Sequence, residues 1–150
     1  MFAPLADTLP DPARHAEFYS GTATKRGLAW LVDTAVILGI CLLILPFTAF
    51  TALFFWPLFY ITIGFLYRWI TLARGSATWG MRLASIRFLD RDGRPFDTGS
   101  ALLHTALYSV CISSILPQLI SIASMLVTPR GQSLPDLILG SVCINRAARH

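Results

Sequence analysis

The chain has 150 residues, of which 55% are hydrophobic and 13% are charged, and its mean hydropathy is +0.62. The length suits one domain, but this composition is too apolar for a small soluble protein. The net charge of +4 does not indicate nucleic-acid binding, because the basic residues flank apolar stretches. We therefore predict an integral membrane protein whose partner is the lipid bilayer, with no nucleic-acid partner.

The first long apolar stretch predicts a helical hairpin. Residues 34–67 contain no charged side chain. The apolar stretch around them, residues 28–67, has about 40 residues, which is twice the roughly 20 that one membrane-spanning helix needs. Pro46 lies near its midpoint, where a sharp turn outside the hydrocarbon core is tolerated best. We expect two spanning helices, over about residues 28–45 and 49–69.

The next segment, residues 71–100, is richer in charge and glycine and predicts a structured cytoplasmic loop. Residues 77–83 are typical of a short amphipathic helix at the membrane surface, and residues 86–88 of a short strand that leads into a turn. The acids at 90 and 92 suit a plain turn, so we predict no metal site. Four arginines are candidates for contacts with lipid head groups, although a solvated loop face is the simpler interpretation: Arg82, Arg87, Arg91 and Arg94.

The third apolar stretch, residues 101–127, is compatible with one tilted span or with two half-length helices broken within residues 113–118, which include Pro117. A single crossing would place Arg130 and Arg146 on the opposite side from the other basic residues, whereas a re-entrant pair returns them to the same side. This charge distribution favours the broken pair. Residues 134–144 are too few to cross a bilayer and are predicted to pack at the cytoplasmic side.

These stretches together predict an all-α membrane protein, with a hairpin of two transmembrane helices and a broken or re-entrant third and fourth helix. We expect a cytoplasmic tail over residues 1–24, a transmembrane domain over 25–145 and a basic tail over 146–150. Basic residues precede the first span and follow the second, so the positive-inside rule predicts that both termini lie in the cytoplasm.

Two acidic residues, Asp33 and Asp136, lie inside the apolar stretches. A charged side chain in the hydrocarbon layer costs at least about 2.5 kcal/mol, so each marks a candidate functional site. Arg26 and Asp33 are seven residues apart and share one helix face, with the acid about 10 Å deeper. Asp136 can form a bidentate pair with Arg26 and leave Asp33 facing a cavity, and the opposite pairing is equally open. A buried ionic clamp of all three residues, without any ligand, is a further alternative.

Three motifs resemble, in chain order, the opening, central and closing motifs of the RDD family of membrane proteins, which is named for one arginine and two aspartates. The resemblance covers roughly residues 20–145. The motifs are KRGLAWLVD at residues 25–33, TWGMRL at 78–83 followed by DRDG at 90–93, and GQSLPDLILGSV at 131–142.

This resemblance implies that the family arginine is Arg26 and that its two aspartates are Asp33 and Asp136. It also implies a location in the inner membrane of a bacterium and a site for ligand or ion transport, which includes sodium/proton exchange for some members. The chain departs from the family pattern at three places, which are Pro135, the pair Gly140 and Ser141, and His104, where the family often has arginine.

Two classes of function follow. In the first, the protein transports a small ligand, a cation or protons, with Asp33 or Asp136 as the binding acid and Arg26 as the counter-charge. Its few helices then require a homo-oligomer or a larger membrane complex. In the second, it is a structural or accessory subunit of such a complex. Enzyme activity is not expected, because the Ser, His and Cys residues form no nucleophile and base pattern, and no cofactor is expected.

Overall fold

The computed structural model describes residues 9–146, and most of them are helical. The all-α membrane architecture predicted from the sequence is confirmed, with the addition of one small sheet. The elements are α1 Thr22–Ile44, α2 Trp56–Gly75, α3 Trp79–Leu83, β1 Ile86–Leu89, α4 Thr98–Ile112, α5 Ile115–Val127, α6 Leu134–Leu139 and β2 Val142–Asn145.

Helices α1 and α2 form the predicted hairpin. Two short 3-10 helices, Leu45–Thr48 and Thr51–Phe55, make the connection. Between them Ala49 and Phe50 have φ angles of +53° and +64°, and the chain reverses there. Pro46 occupies the first turn of the first 3-10 helix, where its missing N–H leaves no hydrogen bond unmade. The turn at the midpoint of the apolar stretch is thus built around this proline.

The helices differ in length from the apolar stretches. Helix α1 begins at Thr22 instead of residue 28, because the helix continues through the charged residues that precede its apolar part. Helix α2 begins at Trp56 instead of residue 49, because the 3-10 turns occupy the chain before it, and it extends to Gly75. The apolar stretches therefore predicted that two spanning helices exist, but they did not predict the residues at which the helices begin and end.

Both hairpin helices are long and apolar enough to cross a membrane, and the α4 and α5 pair would be a third span if counted as one. Only 22% and 0% of the most apolar windows of the two long helices are buried inside the protein. Large apolar side chains at the hairpin turn face outward, with Phe47 90% exposed and Leu43 73% exposed. Such a surface suits contact with lipid rather than with water.

Helices α4 and α5 meet at a bend of 116°, which confirms the predicted broken pair. The break lies at Ser113 and Ser114. This position is within the predicted segment 113–118, and Pro117 lies in the first turn of α5, where its ring is tolerated. The segment after α5 returns to the start of α1, since Arg26 Nη1 donates to the Gly131 carbonyl at 3.3 Å.

The sheet pairs β1 with β2 in antiparallel register, with Ile86 opposite Asn145 and Leu89 opposite Val142. We predicted a strand at residues 86–88 but none in residues 134–144. All four β2 residues are buried, so no alternation of polar and apolar residues marks this strand in the sequence.

Burial raises the pKa of the Cys143 thiol to about 12, so this thiol stays protonated as a core residue.

The main core lies at the end of the hairpin that carries the sheet. It joins α1, α2, α3 and α4 to the strands through Ala29, Leu72, Ala77, Met81, Ile86, Phe88, Phe96, Ala101 and Cys143. The two ends of the described chain meet at the same place. Lys25 Nζ donates to Asn145 Oδ1 at 2.8 Å, and Asn145 Nδ2 donates to the carbonyls of Glu17 and Ser20.

Candidate functional site

Asp136 is positioned by the first turn of α6. Ser133 is the N-cap of this helix, and its side chain and that of Asp136 form a reciprocal capping box. Pro135 suits this first turn because it needs no N–H there, and Gly140 ends the helix with a φ of +72°. Three local residues thus hold the Asp136 carboxylate at the buried start of a very short helix.

The Asp136 carboxylate has four partners. Its Oδ2 accepts from Arg26 Nη1 at 2.5 Å and from the Ser133 backbone N–H at 3.1 Å. Its Oδ1 lies 2.7 Å from His104 Nε2 and accepts from Ser141 Oγ at 3.0 Å. Two carboxylate oxygens accept about four hydrogen bonds, so donors of the protein itself occupy the accepting positions of Asp136. We call these five residues the Asp136 cluster.

Arg26 is held by several groups at once. Besides Asp136, it donates from Nη2 to Ser133 Oγ at 3.1 Å, and its Cζ lies 5.2 Å from the centroid of the Phe88 ring. Only 12% of the Arg26 side chain is exposed, and none of the Asp136 side chain. The bidentate pair anticipated from the sequence does not form, because Ser133 engages the second guanidinium nitrogen.

The Asp136 cluster keeps its acid ionised. Burial alone raises the pKa of the Asp136 carboxyl, but the charge of Arg26 and the hydrogen bond from His104 hold that pKa well below its usual range. An ionised carboxylate only accepts, so His104 donates its Nε2–H. Its Nδ1 is buried and has no hydrogen-bond partner within residues 9–146.

Asp33 has a separate set of partners. Its Oδ1 accepts from the Tyr67 hydroxyl at 2.7 Å and from the Gly80 N–H at 2.9 Å, and its Oδ2 accepts from Thr78 Oγ1 at 2.6 Å. Within the described range, 9–146, no basic side chain lies within 4.0 Å of this carboxylate. We call these four residues the Asp33 cluster.

Thr78 and Gly80 bring the start of α3 into contact with Asp33. Thr78 is the N-cap of α3, and its side chain accepts from the Met81 N–H at 3.2 Å. Gly80 lies directly against α1, where a Cβ atom would come within 2.2 Å of the Ala29 carbonyl oxygen. Only a residue without a side chain allows this approach, and the approach brings the Gly80 N–H to the carboxylate.

The three charged residues that the sequence singled out do not form one clamp. Arg26 pairs with Asp136, while Asp33 is bound by α2 and α3. Arg26 and Asp33 nevertheless line one cavity of about 360 Å³, together with side chains of α4 and α5. A second cavity of about 150 Å³ also borders Asp33 and is lined mainly by apolar side chains.

A further charged residue, Arg68 of α2, lines both cavities. Its Cζ lies 3.9 Å from the centroid of the Tyr108 ring, a stacked cation–π contact. From the sequence we counted Arg68 only among the basic residues that flank the second span. The structure instead turns it inward, between the two aspartate clusters.

The four loop arginines lie apart from these clusters. Arg82 is exposed, and its guanidinium lies over Gly75, where a Cβ atom would come within 2.5 Å of it. Arg87 is half-buried in β1. Arg91 and Arg94 are exposed and border a separate surface cavity with neighbouring acids. Their contact with lipid head groups stays a prediction.

Sequence reasoning did not assign to the site six residues that complete the two clusters, which are Tyr67, Thr78, Gly80, His104, Ser133 and Ser141. The pattern of Ser133 and Asp136 is a readable capping box, and Thr78 before a short helix is a readable N-cap. Tyr67 and His104 carry no such local signal, because they meet their aspartates across 34 and 32 residues of chain.

Comparison with known protein families identifies the family of this chain. A family model described as the RDD family matches residues 20–140. The chain belongs to the RDD family. No curated protein and no solved structure matches it. The matched range includes Arg26, Asp33 and Asp136, and together with the apolar helices it identifies a membrane protein.

The departures from the RDD pattern have structural explanations in this RDD protein. Pro135 is compatible with the first turn of α6, and Ser141 supplies a hydroxyl to Asp136. His104 stands near the place where the family often has arginine, and it contacts the same carboxylate through Nε2. The acid therefore keeps a basic neighbour on α4.

Proposed function

We propose that this RDD protein resides in the bacterial inner membrane and transports a small ligand, a cation or protons, with Asp33 as the carboxylate that binds and releases the cargo. The supporting observation is that Asp33 borders two cavities and has no basic side chain within 4.0 Å in residues 9–146. An intramembrane acid that is not directly paired with a basic side chain is a candidate site for a cation or a proton.

Asp136 suits a different role in this proposal. Its two oxygens already accept from Arg26, His104, Ser133 and Ser141, so a cargo would have to displace a protein group. The Asp136 cluster instead joins α1, α4 and α6 around the cavity. It supports the Asp33 cluster by fixing the wall of the cavity in which a cargo would bind.

The fold has one helical hairpin and one bent pair, which is little material for a complete pathway. The proposal therefore includes a homo-oligomer or a larger membrane complex, in which neighbouring subunits close the route beyond the cavities. Lipid covers the remaining apolar helix faces.

Orientation is the first expected result of the proposal. Reporter fusions placed at the N-terminus, within residues 74–94 and at the C-terminus are expected to report the cytoplasm, because the basic residues cluster at these points. The contact between Asn145 and the chain before α1 supports a shared side for both ends. An external C-terminus would contradict this orientation.

Transport itself is tested in proteoliposomes. With a sodium or proton gradient, the parent protein is expected to carry flux, and Asp33→Asn is expected to reduce that flux to the level of protein-free vesicles. Asparagine keeps an oxygen for Tyr67 and Gly80, so the fold is expected to survive while the charge is lost. Melting temperature checks that the variant is folded.

The matched control is Asp97→Asn at the exposed N-cap of α4, where asparagine also caps well. Flux in this control is expected to equal that of the parent. Equal flux in Asp33→Asn and the parent would remove Asp33 from the proposal.

A second function, that of a structural or accessory subunit, is favoured by the Asp136 cluster, which is complete without any ligand. An accessory subunit is expected to show no flux even as the parent protein. The same proteoliposome experiment therefore separates the two functions.

A further inference from the structure

Arg68 is half-buried, and its guanidinium has no hydrogen-bond acceptor among the described residues. Within residues 9–146 its side chain forms no hydrogen bond and no ion pair within 4.0 Å, and its Nε is buried without a hydrogen-bond partner. Its contacts are with aromatic rings, at 3.9 Å to the Tyr108 centroid and 6.0 Å to the Phe88 centroid. Rings stabilise the charge from the face but accept no N–H at the edge of the guanidinium.

Arg26, by contrast, has a guanidinium whose donors are bound by groups of the protein itself. Its guanidinium donates to Asp136, Ser133 and the Gly131 carbonyl, and it also lies near the Phe88 ring. Burying polar groups without partners is costly, so buried donors are normally satisfied. The contrast between these two arginines marks Arg68 as a group whose partner comes from outside the described chain.

The place for such a partner is present beside Arg68. The residue lines the cavity of about 360 Å³, which also carries the polar side chains of Gln118, Ser121 and Ser133. It lines the apolar cavity of about 150 Å³ as well. A small charged group and an attached apolar portion would therefore each have a matching space.

Asp33 lines the same cavities but does not fill this role. Its carboxylate accepts from Tyr67, Thr78 and Gly80, and it lies more than 4.0 Å from the Arg68 nitrogens. Its charge offsets that of Arg68 at a distance without accepting the guanidinium N–H groups. An oxyanion that enters the cavity can accept several of them in a fork geometry.

We propose that Arg68 binds a phosphate-type oxyanion in the cavity between α1, α2, α4 and α5. The anion is the phosphate of a lipid head group or a free phosphate group, and its oxygens accept the guanidinium N–H groups while Tyr108 holds the guanidinium plane. This site is independent of whether Asp33 carries protons or cations.

The experiment uses purified protein in a neutral detergent without phosphate groups. In one arm, inorganic phosphate is titrated against chloride at constant ionic strength, and the dissociation constant is measured by thermal shift. In the other arm, phosphatidylglycerol is titrated into the same detergent, with diacylglycerol, which has no phosphate group, as the control lipid, and the dissociation constant is again measured by thermal shift. Saturable phosphate binding indicates a free anion, and stabilisation by phosphatidylglycerol alone indicates a lipid.

Arg68→Gln is expected to weaken the response in the productive arm at least about tenfold, the size of one lost charge-assisted hydrogen bond. The matched control is Arg74→Gln, which removes an exposed arginine from the last turn of the same helix and is expected to leave binding unchanged. Arg68→Lys keeps the charge but loses the fork, so it is expected to bind more weakly than the parent even if Arg68→Gln does not fold.

Two results would overturn the proposal. The first is a parent protein that responds to neither inorganic phosphate nor phosphatidylglycerol, whatever the variants do. The second is an equal loss of binding in Arg68→Gln and Arg74→Gln, which would indicate a general effect of positive charge at this end of the protein.

Discussion

Asp136→Leu and Arg26→Met are each expected to lower the free energy of unfolding by about 3 to 5 kcal/mol, because each leaves a buried charge without its partner. Asp136→Leu also leaves the donors of His104 and Ser141 without their acceptor and removes half of the capping box of α6. Denaturant titration in detergent micelles measures the effect, and protein accumulation in the membrane is expected to fall with it.

The double variant tests whether the pair itself carries this effect. Removing both charges together is expected to cost clearly less than the sum of the two single changes, since neither charge is then left alone. Asp92→Asn, on the exposed turn, is the control and is expected to change stability by less than about 0.5 kcal/mol. Additive single changes would show that Arg26 and Asp136 are not coupled.

Acid titration offers a second measurement of the same pair. The pKa of Asp136 is lower in the folded protein than in the unfolded chain, where it is about 3.9. Its stabilising contribution is therefore complete above that unfolded pKa and is lost as the pH falls below it towards the folded pKa. The parent is expected to lose stability in this acid range more steeply than Asp136→Leu.

Gly80→Ala is expected to destabilise the protein by about 1 to 3 kcal/mol or more, as an overpacked contact does. The new Cβ would lie 2.2 Å from the Ala29 carbonyl oxygen and 2.9 Å from Asp33 Oδ1, so α3 must move away from α1. That movement stretches the Gly80 N–H contact with Asp33. Thermal unfolding measures the first effect, and flux in proteoliposomes measures the second.

Gly27→Ala is the matched control for this steric argument. Gly27 lies in α1, and a Cβ there meets nothing within 4 Å. Alanine is favoured over glycine inside a helix by about 0.5 to 1 kcal/mol, so this variant is expected to gain stability. If Gly80→Ala is as stable as Gly27→Ala, the close approach of α3 to α1 does not hold.

The architecture was largely predictable because its signals are local. An apolar stretch about twice the length of one span predicts a hairpin whatever its neighbours are, and Pro46 near the midpoint suits its turn. Charge on both flanks favoured a broken third stretch, and α4 and α5 do meet at 116°. Strand β2 was missed because a fully buried strand of four residues has no period of its own.

The partners of the charged residues were not predictable in the same way. Helix periodicity places Arg26 and Asp33 on one face of α1, and this is correct as far as it goes, since both line one cavity. Periodicity contains no information about which distant segment reaches each of them. The return of the chain after α5 brings Asp136 to Arg26, and the contact of Gly80 with α1 brings α3 to Asp33.

The sequence by itself determined the membrane class, the hairpin and the RDD family, because hydropathy, charge asymmetry and motif order are properties of consecutive residues. Only the tertiary structure decided that Arg26 and His104 contact Asp136, that Asp33 lines the cavities with no basic side chain of the described residues within 4.0 Å, and that Arg68 turns inward. A carboxylate has few accepting positions, and packing between distant segments determines which donors occupy them.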